Sequence, residues 1–497
     1  MTQNQLLISL ISIIPLLNCA LIKLCANFPR FVNLISKFLP VLFFTILVGI
    51  CGNINRDNSY LALIQSNQAV VLGFGVDELA LAFLFLLNFL WLIFVFYSQK
   101  FLSFSPDFLQ TKNTDNLQCF FMAIISFVGL IIVSKNLLSI LFFYNCLIVL
   151  SHFFALKFLH KRQTKFSYFF TFLLYLESIF LFLAIVATYK FVGQIDFAQG
   201  GIISDKLTNA QYLLLLAFYL AGLFFSIFFA SHLLYRNINI EPIIIYALFF
   251  LSYGFSTLYI FLKLLEFVFG FEQFSSLILT ISDGIIFNII QFIFLINIAG
   301  VSVFLMFSGG LKASFFYLFF QQFLFALFAV FIFAIFDPSK IYPTLFSFSL
   351  SITLLFLVIS NFVLYLKKSE QKWLGGAFYD LKITSILFIF AVANLIGIAP
   401  AIGLIEKLAL LKIISQKNLV IAGIIFGINF LSLIVFSWKN FYPIFLLPKE
   451  TKSENQKSSK EIAKDIDSDS SLILTPLVVA VSLLLGLILF PILTKFL

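Results

Sequence analysis

The sequence predicts an all-α polytopic membrane protein with about fourteen transmembrane helices, and three observations carry that expectation. Of 497 residues, 62% are hydrophobic and only 11% charged, at a mean hydropathy of +1.10. A water-soluble chain of this size could not bury so much apolar surface. Apolar runs of roughly 20 residues, the length that crosses about 30 Å of hydrocarbon, recur from one end of the chain to the other. The basic residues sit mainly in the loops between those runs, where they orient the chain in the bilayer. The net charge of +9 is therefore a topology signal, and nucleic acid is not an expected partner, whereas membrane lipid is.

In order, the apolar segments fall near 5–26, 31–52, 77–97, 117–133, 136–158, 167–192, 211–234, 242–265, 283–307, 312–335, 342–366, 383–414, 418–441 and 472–495. An even number of spans puts both termini on one side. The positive-inside bias then places Lys157, Lys161, Arg162, Lys165, the Lys367-Lys368 loop and the long 448–471 loop on the side of insertion. That last loop, rich in Lys, Glu, Ser and Asp, has the composition of a solvated linker or an amphipathic helix. The domain boundaries expected are 1–115 for N-terminal helices, 116–265 and 266–441 for two larger bodies, 442–471 for a polar linker and 472–497 for a C-terminal helix.

Phe occurs 72 times against 3 Met and 3 Trp. Phe, Ile, Asn, Lys and Tyr share A+T-rich codons, so an organelle-type genome is expected. The opening Met1-Thr2-Gln3-Asn4-Gln5 runs into apolar sequence without an Arg- and Ser-rich amphipathic stretch, which predicts insertion where the chain is made. Cys19, Cys25, Cys51, Cys119 and Cys146 lie scattered in apolar segments with no CxxC or histidine spacing, so neither metal site nor disulfide framework is expected.

Chemistry concentrates in Asn394–Lys407, inside the run 383–414. Pro400 stands between Gly397 and Gly403, and Glu406 and Lys407 add charge to what would otherwise be a simple anchor. Proline removes a backbone donor and clashes with the preceding turn, so the helix should break between Gly397 and Gly403. Lys407 has two readings: a snorkelling lysine near a helix end, or an ionisable group in a low-dielectric channel that takes up and releases protons. Further back, Tyr144-Asn145 and His152 share one span, and Glu177 sits about ten residues inside the next. A carboxylate at that depth marks a functional site by default. His232, Arg236 and Glu241-Pro242 close the seventh segment and open the eighth; His232 reads equally as a satisfied interfacial residue or as part of a proton route. Asp77-Glu78, after Gly75, reads as a helix start first and as a functional acid pair second.

Residues 394–407 resemble the Ser-Leu-x-Gly-Ile-Pro-Pro-Leu-x-Gly-Phe-x-x-Lys stretch in the broken twelfth helix of the antiporter-like subunits of respiratory complex I, particularly subunit 2. Leu395, Gly397, Ile398, Pro400, Gly403 and Lys407 match in register. Subunit 5 has lysine at the last position and subunit 4 glutamate. Lys312 with Tyr317 resembles the Lys-Arg-x-x-Ala-Tyr opening of a later helix. Residues 166–197 resemble the sixth helix and its Thr-Gly-x-x-Asp loop, and His232 with Glu241-Pro242 resembles the connection after the broken seventh helix, at a spacing nearer subunit 4.

The resemblance implies two inverted five-helix repeats, 116–265 and 266–441, with broken seventh and twelfth spans and a proton half-channel in each repeat. With the buried charges read above, it makes Lys407, Glu406, Glu177, His232, Glu241 and Lys312 the proton-path candidates, and it implies other membrane-arm subunits as partners and the mitochondrial inner membrane as location. The chain departs from the pattern in its first half: Asn145 replaces the expected glutamate, Phe225 the expected lysine, and the eighth span has no lysine until Lys263 at its end. In the second half, Ala313 and Gln322 replace a basic residue and a histidine.

Three functional classes follow. The chain is an antiporter-like subunit, 2-like and otherwise 4 or 5, acting in the proton-translocating NADH:ubiquinone reductase reaction; or a structural subunit of the same complex that no longer pumps; or a stand-alone cation/proton antiporter. No nucleotide loop, metal cluster or nucleophile constellation stands in the sequence, so redox cofactors are expected in partners and none in this chain.

Overall fold

The structure is a computed structural model that describes residues 3–24, 29–51, 60–66, 69–104, 114–158, 164–203, 207–228, 246–366, 375–447 and 470–493. His232, Arg236, Glu241, most of the 448–471 loop and the expected break in the seventh span lie outside the described residues. Two compact units are present: Met1–Val95, Asp107–Leu234 and Ile244–Phe274 form the first, and Phe96–Pro106, Tyr235–Ile243 and Ser275–Leu497 the second.

In the first unit the helices run Gln3–Leu24, Pro29–Cys51, Thr114–Ile132, Leu137–Phe158, Thr164–Val192 and Asn209–Phe228, with the larger part of Glu78–Phe104. A further helical stretch covers 246–269, in which Ser256–Leu264 is α-helical and the flanking Tyr246–Phe255 and Leu265–Phe269 are π-helical. Wide turns of this kind shift side chains out of the α register and are common at functional sites. The second unit holds Ile285–Phe307, Leu311–Phe336, Ile341–Leu366, Lys382–Ile396, Gly403–Gln416, Val420–Phe441 and Ser470–Leu493.

Among the described residues, nine helices are long and apolar enough to cross a membrane, and shorter apolar helices accompany them. Burial sorts the long ones. The whole apolar window of Leu311–Phe336 is buried, against 44% in Ile285–Phe307 and 33% in Val420–Leu446. A helix apolar on every side and buried on every side is a central pillar, while Phe292, Ile296 and Leu431 point outward from the less buried helices as lipid-compatible surface.

The all-α expectation needs one correction. Tyr60–Ser66 and Ala69–Gly75 pair as an antiparallel hairpin. The hairpin is continued by loop backbone: Gly75 N–H donates to Val133 O, Lys135 N–H to Gly73 O, Phe197 N–H to Lys135 O and Leu137 N–H to Ile195 O. The ends of Thr114–Ile132 and Thr164–Val192 are thereby tied into one strand-like layer. Backbone groups at helix ends have no intrahelical partner, and neighbouring loops here supply them.

Candidate functional site

The predicted break is present. Lys382–Ile396 ends with Gly397 at φ 90°, in the left-handed region that favours glycine. Gly397 N–H donates to Asn394 O and Ile398 N–H to Ala393 O, the paired bonds of a Schellman stop. The chain turns through 398–402, where Ala399–Pro400 is cis, and resumes as Gly403–Gln416. Asn394 fastens the two halves. Its Oδ1 accepts from Gly403 N–H at 2.9 Å, and its Nδ2 donates to Ser351 Oγ on Ile341–Leu366.

Both glycines are required by close approach. A Cβ on Gly397 would lie 2.6 Å from Cγ of Lys407, and one on Gly403 would collide with the Asn394 carbonyl. The lysine stem therefore lies directly over the end of the first half-helix. Its ammonium sits 2.9 Å from Glu406 Oε1 and 4.1 Å from the centroid of Phe325, and both charged residues are buried. An ion pair out of water needs this kind of additional contact to offset desolvation, and the ring face supplies part of it.

Polar contacts continue along the pillar that carries Phe325. Gln322 Nε2 donates to Asn429 Oδ1 at 2.8 Å and to Gln321 Oε1 at 3.1 Å. Gln321 Nε2 reaches Ser432 Oγ and, at 3.2 Å, Ser302 Oγ, so all the members are hydrogen-bonded side chains buried between three helices. Gln322 stands where the family pattern has histidine, and it joins the network as an amide that cannot change charge. Lys439 closes this side by donating to the Ser308 carbonyl at the end of Ile285–Phe307. Lys312 is at the first turn of Leu311–Phe336, thirteen residues before Phe325 and about 20 Å along the axis, so it lies at a different depth from Lys407.

In the first unit Glu177 is completely buried, and two phenols hold it. Tyr144 Oη donates to Oε2 at 3.2 Å, and Tyr253 Oη lies 2.9 Å from Oε1 and 3.0 Å from Leu223 O. Beside the phenols is a cavity of about 10 Å³, lined by Tyr144, Ser151, Ser252 and Tyr253 among others. That volume is on the order of one water. Asn145 is accounted for locally: its amide donates to Leu141 O and its Oδ1 accepts from Ser178. Phe225 packs on Phe180, with ring centroids 5.7 Å apart, and His152 Nδ1 lies 2.8 Å from Thr171 Oγ1.

The residue that sequence reasoning passed over is Lys263. Its ammonium pairs with Asp77 Oδ2, 186 residues earlier, and lies 4.0 Å from the Phe267 ring centroid and 5.2 Å from that of Phe197. Asp77 also behaves as the expected helix start, since its Oδ1 accepts from Ala80 N–H at 2.9 Å. The available signal was the lysine at the end of the eighth segment together with the acids opening the third; nothing in the spacing shows that they meet.

No protein-family model and no curated protein matches the chain by sequence. Among solved structures, it is similar to a chain of the Mrp complex from Dietzia sp. DQ12-45-1b, with a TM-score of 0.75 and 14% identity over 100% of this chain and 96% of that one. It is similar to a chain of the membrane-bound sulfane sulfur reductase, an archaeal respiratory membrane complex, with a TM-score of 0.74 and 16% identity over 96% and 75%. A chain of respiratory complex I from Thermus thermophilus aligns with a TM-score of 0.67 and 12% identity over 97% and 98%. At these identities the likeness establishes the fold, which this chain shares along nearly all its length with chains of these three complexes.

Proposed function

We propose that this chain is an antiporter-like membrane subunit of a respiratory complex and takes part in redox-driven proton translocation, with Lys407 as its principal proton-carrying group. The observation that carries the proposal is the broken helix at 397–403, which sets the buried Glu406–Lys407 pair beside a hydrogen-bonded network through Gln322, Asn429, Gln321, Ser432 and Ser302. An ammonium held out of water by one carboxylate and one ring face depends on those two contacts, and displacing the carboxylate removes what compensates its charge. Discontinuous helices whose ends face charged groups recur at ion sites in transporters.

In the finer reading the chain is the subunit 2-like member of a mitochondrial NADH:ubiquinone oxidoreductase, with fourteen spans and two inverted repeats. NADH, flavin and iron–sulfur chemistry belong to partner subunits, and the chain contributes transfer of protons. The match from Leu395 to Lys407 supports subunit 2 or 5 over subunit 4. A second reading, a structural subunit, draws on the first unit, where Asn145 is bonded to Leu141 O and Ser178 and Phe225 packs on Phe180, neither of them able to change charge.

The test is the proton-to-electron ratio of the assembled complex in reconstituted membranes. Lys407→Ala is expected to lower it, and an unchanged ratio in a fully assembled complex overturns pumping in favour of the structural reading. Blue-native electrophoresis with an in-gel NADH dehydrogenase stain separates both from a stand-alone antiporter.

A further inference from the structure

The first unit has Phe225 where the resemblance expects a lysine but contains an ion pair whose lysine is buried, and we propose that Asp77 and Lys263 form the aqueous port of that unit, where protons from solution enter it. The inference rests on the proton-translocation reading above. Four observations carry it.

The pair is graded in exposure. The Asp77 side chain is 29% exposed and that of Lys263 2%, so the carboxylate reaches water while the ammonium paired with it does not. The pair is also surrounded by charge that can shift. Glu266, one turn on from Lys263, interacts electrostatically with Asp77, Lys263 and Glu78, and Lys135 acts on Lys263 from the layer that holds Asp196. Two carboxylates therefore compete for one ammonium, which lies against Phe267 and Phe197.

The third observation is the backbone. Lys263 lies two residues before the π-helical Leu265–Phe269, which ends at Gly270, and the loop residues Ile202 and Ile203 both donate to Val268 O. The 202–203 loop thus ties down the backbone just beyond Lys263, and the Asp77 side chain stays part-exposed. The fourth is continuity. Tyr253, which holds Glu177, precedes Lys263 by ten residues on the same helical stretch, about 15 Å. Between them lies the buried Thr257, whose hydroxyl interacts with the phenol of Tyr144, the other group that holds Glu177.

The step is a simple proton transfer. A hydronium ion gives its proton to Asp77 Oδ2, forming the neutral acid and leaving water. The ion pair is then broken, and the ammonium of Lys263 passes one proton to a second water on the inner side. The proton on Asp77 moves to the free amine, restoring the starting pair with one proton taken from outside and one delivered inward.

Arginine tests this, because a guanidinium keeps the charge and the pairing but does not deprotonate. In the complete complex, Lys263→Arg is expected to assemble while the proton-to-electron ratio falls. Asp77→Asn, which keeps the helix cap, should also lower the ratio and abolish the dependence of translocation rate on pH at the Asp77 side. Normal ratios and pH profiles in both variants, with Lys407→Ala still lowering the ratio, overturn the port and leave the general reading standing. Normal ratios in all three variants overturn both. If Lys263→Arg fails to assemble, Asp77→Asn decides alone through its pH profile.

Discussion

The two units handle buried charge differently. In the second, cation and anion are sequence neighbours: Glu406 and Lys407 pair on a half-helix that begins only four residues earlier, and the break at 397–403 places them. In the first, the charges are dispersed. Glu177 is held by phenols, while the buried Lys263 pairs with Asp77, an acid 186 residues away. Yet the two lysines share one environment, a carboxylate in contact and a phenylalanine face at 4.1 and 4.0 Å. A buried ammonium needs a counter-charge and an apolar wall that still interacts with it, and the fold meets that need by local sequence in one unit and by tertiary pairing in the other.

The contrast is sharpest at Lys407. Lys407→Ala leaves Glu406 buried without its partner, and breaking a buried pair in this way costs about 3–5 kcal/mol. Proton transfer should be lost and thermal stability of the complex reduced together. Lys407→Arg separates the effects, since it keeps the charge: transfer falls while assembly survives. A Lys407→Ala complex with wild-type stability and pumping would remove the distinction between the units.

Gly397→Ala should come next. Alanine is strained at φ 90°, by roughly 1–2 kcal/mol, and its methyl would push against Cγ of Lys407. The expected result is a folded complex with lowered proton transfer, because the lysine is displaced rather than removed. Gly403→Ala meets backbone instead of a flexible stem and should impair assembly more than transfer. Measuring assembly and proton-to-electron ratio on both variants distinguishes a break that positions Lys407 from one that is only a packing device.

How much of this the sequence revealed follows from the same contrast. The break was legible because Gly397, Pro400 and Gly403 act through local backbone geometry, within a few residues of where they stand. Glu177 was legible as a buried acid because depth in a span can be counted. Its partner Tyr253 was not, since it comes from a π-helical stretch where side-chain register departs from the period of 3.6 used to read helices. The Asp77–Lys263 pair was illegible for a related reason: each residue alone reads as an interfacial charge, and only the folded unit joins positions so far apart. The hairpin at 60–75 escaped because a single apolar/polar pattern of seven residues is weak beside the runs around it.

Glu177 offers a smaller effect. Glu177→Gln nearly preserves shape: its amide oxygen accepts from one phenol and its NH2 donates to the oxygen of the other, so stability should change by less than about 1 kcal/mol. Proton transfer should fall less than in Lys407→Ala. An equal or larger loss would make the first unit the principal path and reverse the comparison. Tyr253→Phe is the companion: it removes the hydroxyl beside both Glu177 and Leu223 O, at a cost of about 1–3 kcal/mol.

The smallest expected effect lies outside the membrane, at Asp196 in the strand-like layer. Burial pushes its carboxyl above the usual range, against opposing effects of a hydrogen bond with Asn136 and the charge of Lys135. A raised folded-state value means that the native state binds the proton more tightly than the unfolded one. The stabilising contribution is therefore complete below the unfolded value near 3.8 and is lost as pH rises through the raised folded value. At neutral pH the group is a slight liability. Asp196→Asn removes the buried charge and should leave stability unchanged or raise it by less than about 1 kcal/mol, while flattening the decline above pH 4. Thermal unfolding of the complex across that range is the measurement. A clear destabilisation at neutral pH would mean that the Lys135 charge outweighs desolvation, making Asp196 part of the electrostatic support for the Asp77–Lys263 mouth rather than a tolerated cost of the layer above it.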